Sequence, residues 1–312
     1  MTVTSVEGGP RGQFVRGSPS ARILALFGPT SVGKTGVAVA VARRLRARGE
    51  SPVAVNCDSI QIYRGLETIS GAATQEECAE LEHRLLGFVD PSEEMSAGTY
   101  AMAAHAEIDQ LLAADRFPIV VGGTGLWLRA ALCNLDLKPQ IDPDLRARVE
   151  REIDQRGSDA LHAELPEKFS SQIHPNDTNR IARWTSLLRS GVEPEVDSSG
   201  MWQAAFRHST RMVGLIDSRE EIARRIDERV DRMAGEAADE ARRLLAEGPS
   251  RTASAAIGIH EFANGDLETI KSQHRAYAKR QVTWMRKMPG IELIARDGAT
   301  DDELAQRILE VL

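Results

Sequence analysis

The sequence is poor in cysteine and has no long apolar run, and each absence excludes a class of protein. Its three cysteines, Cys57, Cys78 and Cys133, lie far apart and form no C-x-x-C pair, so neither a disulfide framework nor a zinc site is indicated. No stretch is apolar over the length that a membrane span needs. Residues 1–20 hold glycine, proline and scattered arginine without an apolar core, so we read them as a flexible tail.

The balance of charge restricts the partners of the chain. The 312 residues carry a formal net charge of −7, and a uniformly acidic surface repels nucleic acid. A nucleic-acid partner would therefore have to be held by local basic clusters. The hydrophobic content of 42% and the charged content of 27% are those of an ordinary globular enzyme.

A complete phosphate loop stands near the start of the chain. Residues 28–35 read Gly-Pro-Thr-Ser-Val-Gly-Lys-Thr, which matches G-x-x-x-x-G-K-[ST]. The apolar run 23–27 leads in as a strand and the run 37–42 leads out as a helix, which is the context that this motif requires. Its N–H groups and the charge of Lys34 predict a site for a diphosphate or a triphosphate such as ATP. The Thr35 hydroxyl can reach Mg²⁺.

Apolar runs along the chain predict a parallel sheet. Four of them have the length and composition of core strands: 22–27, 52–56, 118–121 and 212–216. Helical patterns separate the first three, so we predict an α/β fold with a P-loop NTPase-like, doubly wound parallel sheet. Functional groups then collect at the carboxyl ends of the strands. A long helix from about Glu220 is predicted to end at Gly248.

The predicted organisation has four parts. They are a tail (1–20), the first part of the core (21–135), a mostly helical insertion (136–205) and the second part of the core (206–312). In the insertion, an amphipathic helix is predicted over 142–156. A second helical pattern covers 173–191, where Asp177 or Thr178 can cap the helix.

Two strand exits carry candidate catalytic side chains. Asp58 follows the second strand, where it would hold magnesium through water, act as a general base, or only cap the following turn. Thr124 lies in the Gly-Gly-Thr-Gly turn after the third strand, where close backbone approach to a ligand and a simple turn are both open. This strand ends in glycine rather than an acid, which disfavours a motor-type ATPase.

Residues 271–287 form a basic segment. They contain six basic residues and no acid, and Lys271, Arg275 and Lys279 are spaced four apart on one helix face. Such a cluster in an acidic protein suits RNA backbone. The alternative is a solvated helix face with Trp284 buried in the core.

Taken together and in this order, these segments resemble the tRNA dimethylallyltransferase family, also called tRNA isopentenyltransferases. The matching segments are 28–35, 58–65, 89–94, 121–126, 174–177 with 180–181, 256–258 and 277–284. They extend over nearly the whole chain after residue 20. The resemblance implies transfer of a dimethylallyl group from its diphosphate to N6 of the adenosine 3′ of the anticodon in tRNA, with Mg²⁺ as cofactor.

The resemblance also implies roles for individual residues. Asp58 would orient the adenine amine and take its proton, and Thr124 would contact the diphosphate or the base. The residues implied at the donor are Gly28, Thr30, Ser31, Gly33, Lys34, Thr35 and Arg225, with Thr35 also at the metal. Those implied at the tRNA are Ser59, Gln61, His174, Asn176, Arg180, Lys279, Arg280 and Gln281. The insertion would embrace the anticodon stem-loop, and the target base would be flipped into the core. We expect a monomeric, cytoplasmic enzyme.

Three alternatives stay open. A cytokinin-type enzyme would prenylate free AMP, ADP or ATP, a P-loop small-molecule kinase would use ATP, and a non-catalytic paralogue would only bind RNA. The sequence departs from the family's pattern near 70–84, where a lysine is absent at 70–74 and one histidine of a pair is replaced at 82–84, and near 256–261. These departures fall where acceptor binding is expected, while the donor motifs are intact.

Overall fold

The computed structural model describes residues 21–135, 141–194 and 202–312. The predicted tail lies outside these residues, as do the segments 136–140 and 195–201 of the predicted insertion.

The described strands form a six-stranded parallel sheet. They are β1 (Ile23–Phe27), β2 (Pro52–Asn56), β3 (His83–Arg84), β4 (Phe117–Gly122), β5 (Thr210–Ile216) and β6 (Glu292–Ala295). Their order in the sheet is β3-β2-β4-β1-β5-β6. The four predicted strands are confirmed, and their near-continuous apolar sequences suit strands that are covered on both faces. The edge strands β3 and β6 were not predicted, because two and four residues are too few to show a pattern.

The described helices follow the predicted alternation. They are α1 (Lys34–Ala47), α2 (Glu67–Ser70), α3 (Gln75–Glu80), α4 (Ala97–Ala113), α5 (Gly125–Leu132), α6 (Pro143–Arg156), α7 (Ser158–Glu164), α8 (Glu167–Ser170), α9 (Thr178–Arg189), α10 (Arg219–Glu247), α11 (Ile259–Asn264), α12 (Leu267–Met285) and α13 (Asp301–Val311). The long helix α10 ends at Gly248 as predicted. No helix in the described parts of the chain is both long and apolar enough to cross a bilayer.

Helices cover both faces of the sheet. The crossover from β1 to β2 and the crossover from β3 to β4 run in opposite directions across the sheet. Because such crossovers are right-handed, α1 and α4 lie on opposite faces. The C-terminal helix α13 packs beside α1, and α5 packs beside α4. The main hydrophobic core lies between these layers and the sheet.

The helices α6 to α9 have a hydrophobic core of their own. It is built around Val149, Leu161, Phe169 and Trp184, and the rings of Phe169 and Trp184 meet edge to face with centroids 5.5 Å apart. Asp177, one of the two cap residues that the sequence left open, caps α9 by accepting a hydrogen bond from the backbone N–H of Arg180. The described part of the insertion, 141–194, is therefore helical and separately packed.

The sheet topology determines where a ligand can bind. From β1 the chain crosses to one side of the sheet, and from β4 it passes to β5 on the other side. β1 and β4 are neighbours, with Phe27 beside Gly122, so the direction of winding switches between them. Open parallel sheets bind ligands at the carboxyl side of such a switch point. The loops after β1, β4 and the adjacent β2 all meet there.

The separate core of α6 to α9 leads to a prediction about local stability. Leu161 is fully buried in that core, so Leu161→Ala should destabilise these helices by about 2–5 kcal/mol. Amide hydrogen exchange should accelerate in α6 to α9 and stay slow in β1 and β4. Leu188→Ala, at a half-buried position on α9, is the control and should have a smaller effect. Equal acceleration in the sheet would contradict independent packing of the insertion.

Candidate active site

The phosphate loop enters α1 through two residues with left-handed backbone. Ser31 has a φ of 62° and Gly33 a φ of 88°, which turns successive N–H groups toward one concave side. Gly33 is the N-cap of α1 and provides no side-chain cap, so the N–H groups of the first turn remain available to an anion. Ser31 Oγ is buried and has no hydrogen-bond partner among the described residues. A bound phosphate would satisfy these donors.

Lys34 curls over the same loop. Its Nζ donates to the carbonyl oxygens of Gly28 at 3.1 Å and Pro29 at 3.0 Å. Burial lowers the pKa of Lys34 to about 8, an effect that Asp58 opposes and Arg229 reinforces. The ammonium is therefore short of negative charge, and an anion in the loop would raise its pKa.

Asp58 is presented by a turn that starts in β2. Its Oδ1 accepts from Ile60 N at 3.0 Å, and Asn56 Oδ1 accepts from Asp58 N at 3.2 Å. The buried Asn56 is itself held, because its Nδ2 donates to Leu85 O at 3.0 Å and its carbonyl accepts from the Tyr100 hydroxyl at 2.8 Å. In the described residues, Oδ2 of Asp58 has no hydrogen-bond partner. One oxygen caps the turn, and the other is available for chemistry.

The turn after β4 is joined to the phosphate loop by α12. Gln281 Oε1 accepts from Thr30 N at 2.8 Å, and its Nε2 donates to Gly123 O at 2.8 Å. On the same helix, the Tyr277 hydroxyl lies 3.3 Å from Thr124 Oγ1. Gln281 was predicted at the tRNA, but it is only 4% exposed and the two loops use both ends of its amide. Its environment is that of a residue that positions the loops.

Arg229 reaches the phosphate loop from α10. Its Nη1 donates to Thr30 Oγ1 at 3.0 Å. Arg225, which was predicted at the donor, instead pairs with Glu221 at 2.8 Å and with Asp217 at 3.5 Å. Arg229 follows Arg225 by one helical turn, so the two arginines lie on the same face of α10. Burial lowers the pKa of Arg229 while Asp58 raises it.

The other residues predicted at the tRNA lie on three elements. Ser59 and Gln61 are half-buried in the turn of Asp58, and Gln61 Nε2 donates to Gly71 O at 3.0 Å. Three more are exposed at the start of α9, and two are exposed on α12. They are His174, Asn176, Arg180, Lys279 and Arg280.

Two cations of the basic segment form ion pairs with acids of the same chain, which its sequence did not indicate. Lys271 pairs with Asp231 at 2.8 Å and Arg275 with Asp227 at 2.5 Å, so acids of α10 neutralise its first half. Trp284, considered as a core residue, is half-buried. Among the described residues, the cations of α12 that have no ion pair, Lys279 and Arg280, lie in its second half.

Sequence reasoning missed Asn56, Tyr100 and Arg229 as site residues. Asn56 directly precedes the Cys-Asp pair at the end of β2, and a buried amide at a strand end was the available signal. Tyr100 acts from α4, 44 positions along the chain from Asn56. Nothing in the sequence links these two positions.

The fold and the site define a class of protein. A parallel sheet with a phosphate loop at its switch point and a presented carboxylate beside it is an α/β phosphate-binding protein equipped for group transfer. The chain belongs to the IPP transferase family, since the model of that family matches residues 61–288.

Individual members of this family are similar to this chain over most of its length. A tRNA dimethylallyltransferase of Anaeromyxobacter sp. (strain Fw109-5) is 39% identical, over 92% of this chain and 98% of that protein. One from Streptomyces avermitilis is 36% identical, over 93% and 96%. The crystal structure of the full-length tRNA isopentenylpyrophosphate transferase from Bacillus halodurans superposes with a TM-score of 0.66 at 29% identity, over 93% and 94%. The fold class and the family predicted from the sequence are thus confirmed.

The lowered pKa of Lys34 predicts how binding of inorganic diphosphate depends on pH. With a pKa of about 8 in the free protein, Lys34 is charged below pH 8 and increasingly neutral above it. Because the anion raises this pKa, binding above pH 8 takes up a proton, and affinity should fall by about tenfold per pH unit there. Calorimetric titration between pH 7 and 9.5 measures this slope.

Lys34→Arg is the control for that titration. Its guanidinium stays charged throughout, so its slope reflects only the titration of the ligand. Equal slopes for the two proteins would contradict the assignment of the proton to Lys34.

Proposed function

We propose that this chain transfers a dimethylallyl group from dimethylallyl diphosphate to N6 of the adenosine 3′ of the anticodon in tRNA. The observation that carries the proposal is the meeting, at one edge of the sheet, of a phosphate loop with the turn that presents Asp58. Transfer from a diphosphate to an amine needs both a site for the leaving anion and an acceptor for the proton. The named relatives, which are tRNA dimethylallyltransferases, supply the substrate pair.

The donor diphosphate belongs in the loop Gly28–Thr35. The N–H groups at the start of α1, the Lys34 ammonium and the Arg229 guanidinium place positive charge there. Such fixed charges favour the step in which negative charge grows on the leaving group. The Thr124 hydroxyl, at the adjoining turn, would contact the diphosphate or the base.

Asp58 is the proton acceptor in this proposal. The lone pair of N6 forms a bond to the allylic carbon as the carbon–oxygen bond breaks, and the diphosphate leaves with the electron pair of that bond. The proton that N6 gives up passes to the available oxygen of Asp58. Since the adenine amine is a poor nucleophile, its orientation by a fixed carboxylate matters as much as its deprotonation.

Magnesium fits the donor set of the phosphate loop. Among the described residues, no three carboxylate, imidazole or thiol groups are placed to hold a metal. Mg²⁺ is commonly held by one or two protein oxygens together with substrate phosphates. Thr35 is half-buried in the first turn of α1. Ser31 Oγ of the same loop is buried and has no partner in the part of the chain that the structure describes, so both hydroxyls are suited to this arrangement. Bound there, the ion would neutralise charge on the leaving diphosphate.

The acceptor RNA would be held by exposed side chains on two elements. His174, Asn176 and Arg180 stand at the start of α9, and Lys279 and Arg280 stand on α12. Local cations of this kind are what an acidic chain needs to bind a phosphate backbone. The donor loop, Asp58 and these side chains lie on one chain, so the proposal requires a monomer only. Because tRNA is the acceptor, we place the protein in the cytoplasm.

The identity of the acceptor is open to a direct test. The protein is given dimethylallyl diphosphate, Mg²⁺ and either an anticodon stem-loop with an A-A-A run or AMP, and products are measured by nucleoside mass spectrometry. We expect prenylated adenosine from the stem-loop and none from AMP. Transfer to AMP alone would make the chain a cytokinin-type enzyme, and transfer to neither acceptor would contradict the proposal.

The role of Asp58 predicts the effect of Asp58→Asn. The asparagine keeps Oδ1 for the turn but cannot take a proton, so kcat should fall by about 10²- to 10⁴-fold with little change in affinity for the stem-loop. Asp90→Asn is the matched control, because Asp90 accepts from Ser92 N at 3.0 Å in a similar turn that is exposed. Loss of RNA affinity with normal transfer would reverse the assigned role.

A further inference from the structure

The inner face of α12 contains a buried amide with two partners. Gln281 accepts from Thr30 N and donates to Gly123 O, both at 2.8 Å. A backbone N–H can only donate and a carbonyl can only accept, so the orientation of this amide follows from its partners. One side chain therefore spans the switch point and links the loop after β1 to the turn after β4.

The turn after β4 is built to admit this amide. A Cβ at Gly123 would lie 2.2 Å from Gln281 Nε2, which is far inside contact distance, so glycine is what lets the amide approach the backbone. A glutamate at 281 would keep the acceptor for Thr30 but lose the donor for Gly123. Gln281 and Gly123 thus hold the two loops together through a close contact that a larger residue at 123 would block.

Tyr277 lies one turn earlier on the same face. Its hydroxyl is 3.3 Å from Thr124 Oγ1, and the guanidinium of Arg280 lies over its ring at 5.6 Å. Burial and the carboxylate of Asp58 raise the pKa of Tyr277, so the phenol stays neutral and can donate. Tyr277 and Gln281 together, here called the α12 brace, contact three residues of the donor site.

The outer face of α12 carries charge at the level of this brace. Lys279 is exposed on this face, and Arg280, whose guanidinium lies over the ring of Tyr277, is exposed beside it, whereas Lys271 and Arg275 are paired with acids of α10. Lys279, Arg280 and the brace therefore share the second half of α12. A helix is rigid over so few residues, so a shift of the outer face moves the inner face with it.

We propose that α12 couples the two substrates, with Gln281 as the positioning residue that links acceptor docking to the donor loops. RNA bound at Lys279 and Arg280 fixes the helix, and the brace then holds Thr30, Gly123 and Thr124 in the arrangement that binds diphosphate. The inference rests on the proposed function, because it takes RNA as the ligand of the outer face. By thermodynamic linkage, the RNA should raise the affinity for diphosphate by the same factor as diphosphate raises the affinity for RNA.

The test is a titration with inorganic diphosphate and Mg²⁺, with and without a saturating anticodon stem-loop. For the wild-type protein we expect the stem-loop to raise diphosphate affinity by about fivefold or more. Gln281→Ala should lower diphosphate affinity by about tenfold without RNA, and the stem-loop should no longer raise it. Gln281→Glu, which retains one of the two hydrogen bonds, should show the same loss.

Gln273→Ala is the matched control. Gln273 lies two turns earlier on α12, and its Nε2 donates to Glu261 at 2.7 Å, away from both loops. This variant should behave as the wild type does, and thermal melting of all variants shows whether each is folded.

Two results would overturn the inference. If both variants of Gln281 bind diphosphate normally and lose only RNA, Gln281 is an RNA contact as the sequence predicted. If the wild type transfers the prenyl group but binds diphosphate equally with and without RNA, the coupling is absent. Failure of the proposed function is a different result, the absence of transfer to the stem-loop, and the titration without RNA still reports on Gln281.

Discussion

The parallel direction of the strands is the constraint on which the site depends. Three loops separated along the chain leave β1, β2 and β4 at the same edge of the sheet, and the winding reverses between β1 and β4. The switch leaves a crevice that no crossover helix fills. A phosphate loop alone would bind an anion but would not promote a reaction. Beside the turn that presents Asp58, the same anion becomes a leaving group next to a proton acceptor.

Buried polar side chains hold the loops of the site in defined positions. Asn56 holds the turn of Asp58, and Gln281 holds the phosphate loop against the turn after β4. Each of these amides is buried with both ends bonded, as burial of a polar group requires. The charge of Lys34 is less well stabilised than these amides are. Burial removes its ammonium from water, and the carboxylate of Asp58 offsets only part of that cost. The loops of the site are thus held by hydrogen bonds, and its cations are short of negative charge, which suits an anionic ligand.

The sequence predicted what is encoded locally. The strands of the core, the phosphate loop and the cap of α9 each depend on a few consecutive residues, and the structure confirms them. Arg229, the partners of Gln281, and the acids that neutralise Lys271 and Arg275 depend on how α10 and α12 pack. A helical pattern gives the face of a helix but not the turn that meets a distant loop, so the sequence did not single out Arg229. The strands β3 and β6 owe their existence to their neighbours in the sheet rather than to their own sequences.

The most direct test of the central claim is a crystal structure with an anticodon stem-loop and a thiolodiphosphate analogue of the donor. The account predicts diphosphate in the loop Gly28–Thr35 and the flipped adenosine with N6 in hydrogen-bond contact with Asp58, about 3–3.5 Å from the allylic carbon. Diphosphate bound elsewhere, or an adenosine whose N6 faces away from Asp58, would contradict the claim that this edge of the sheet brings leaving group and nucleophile together.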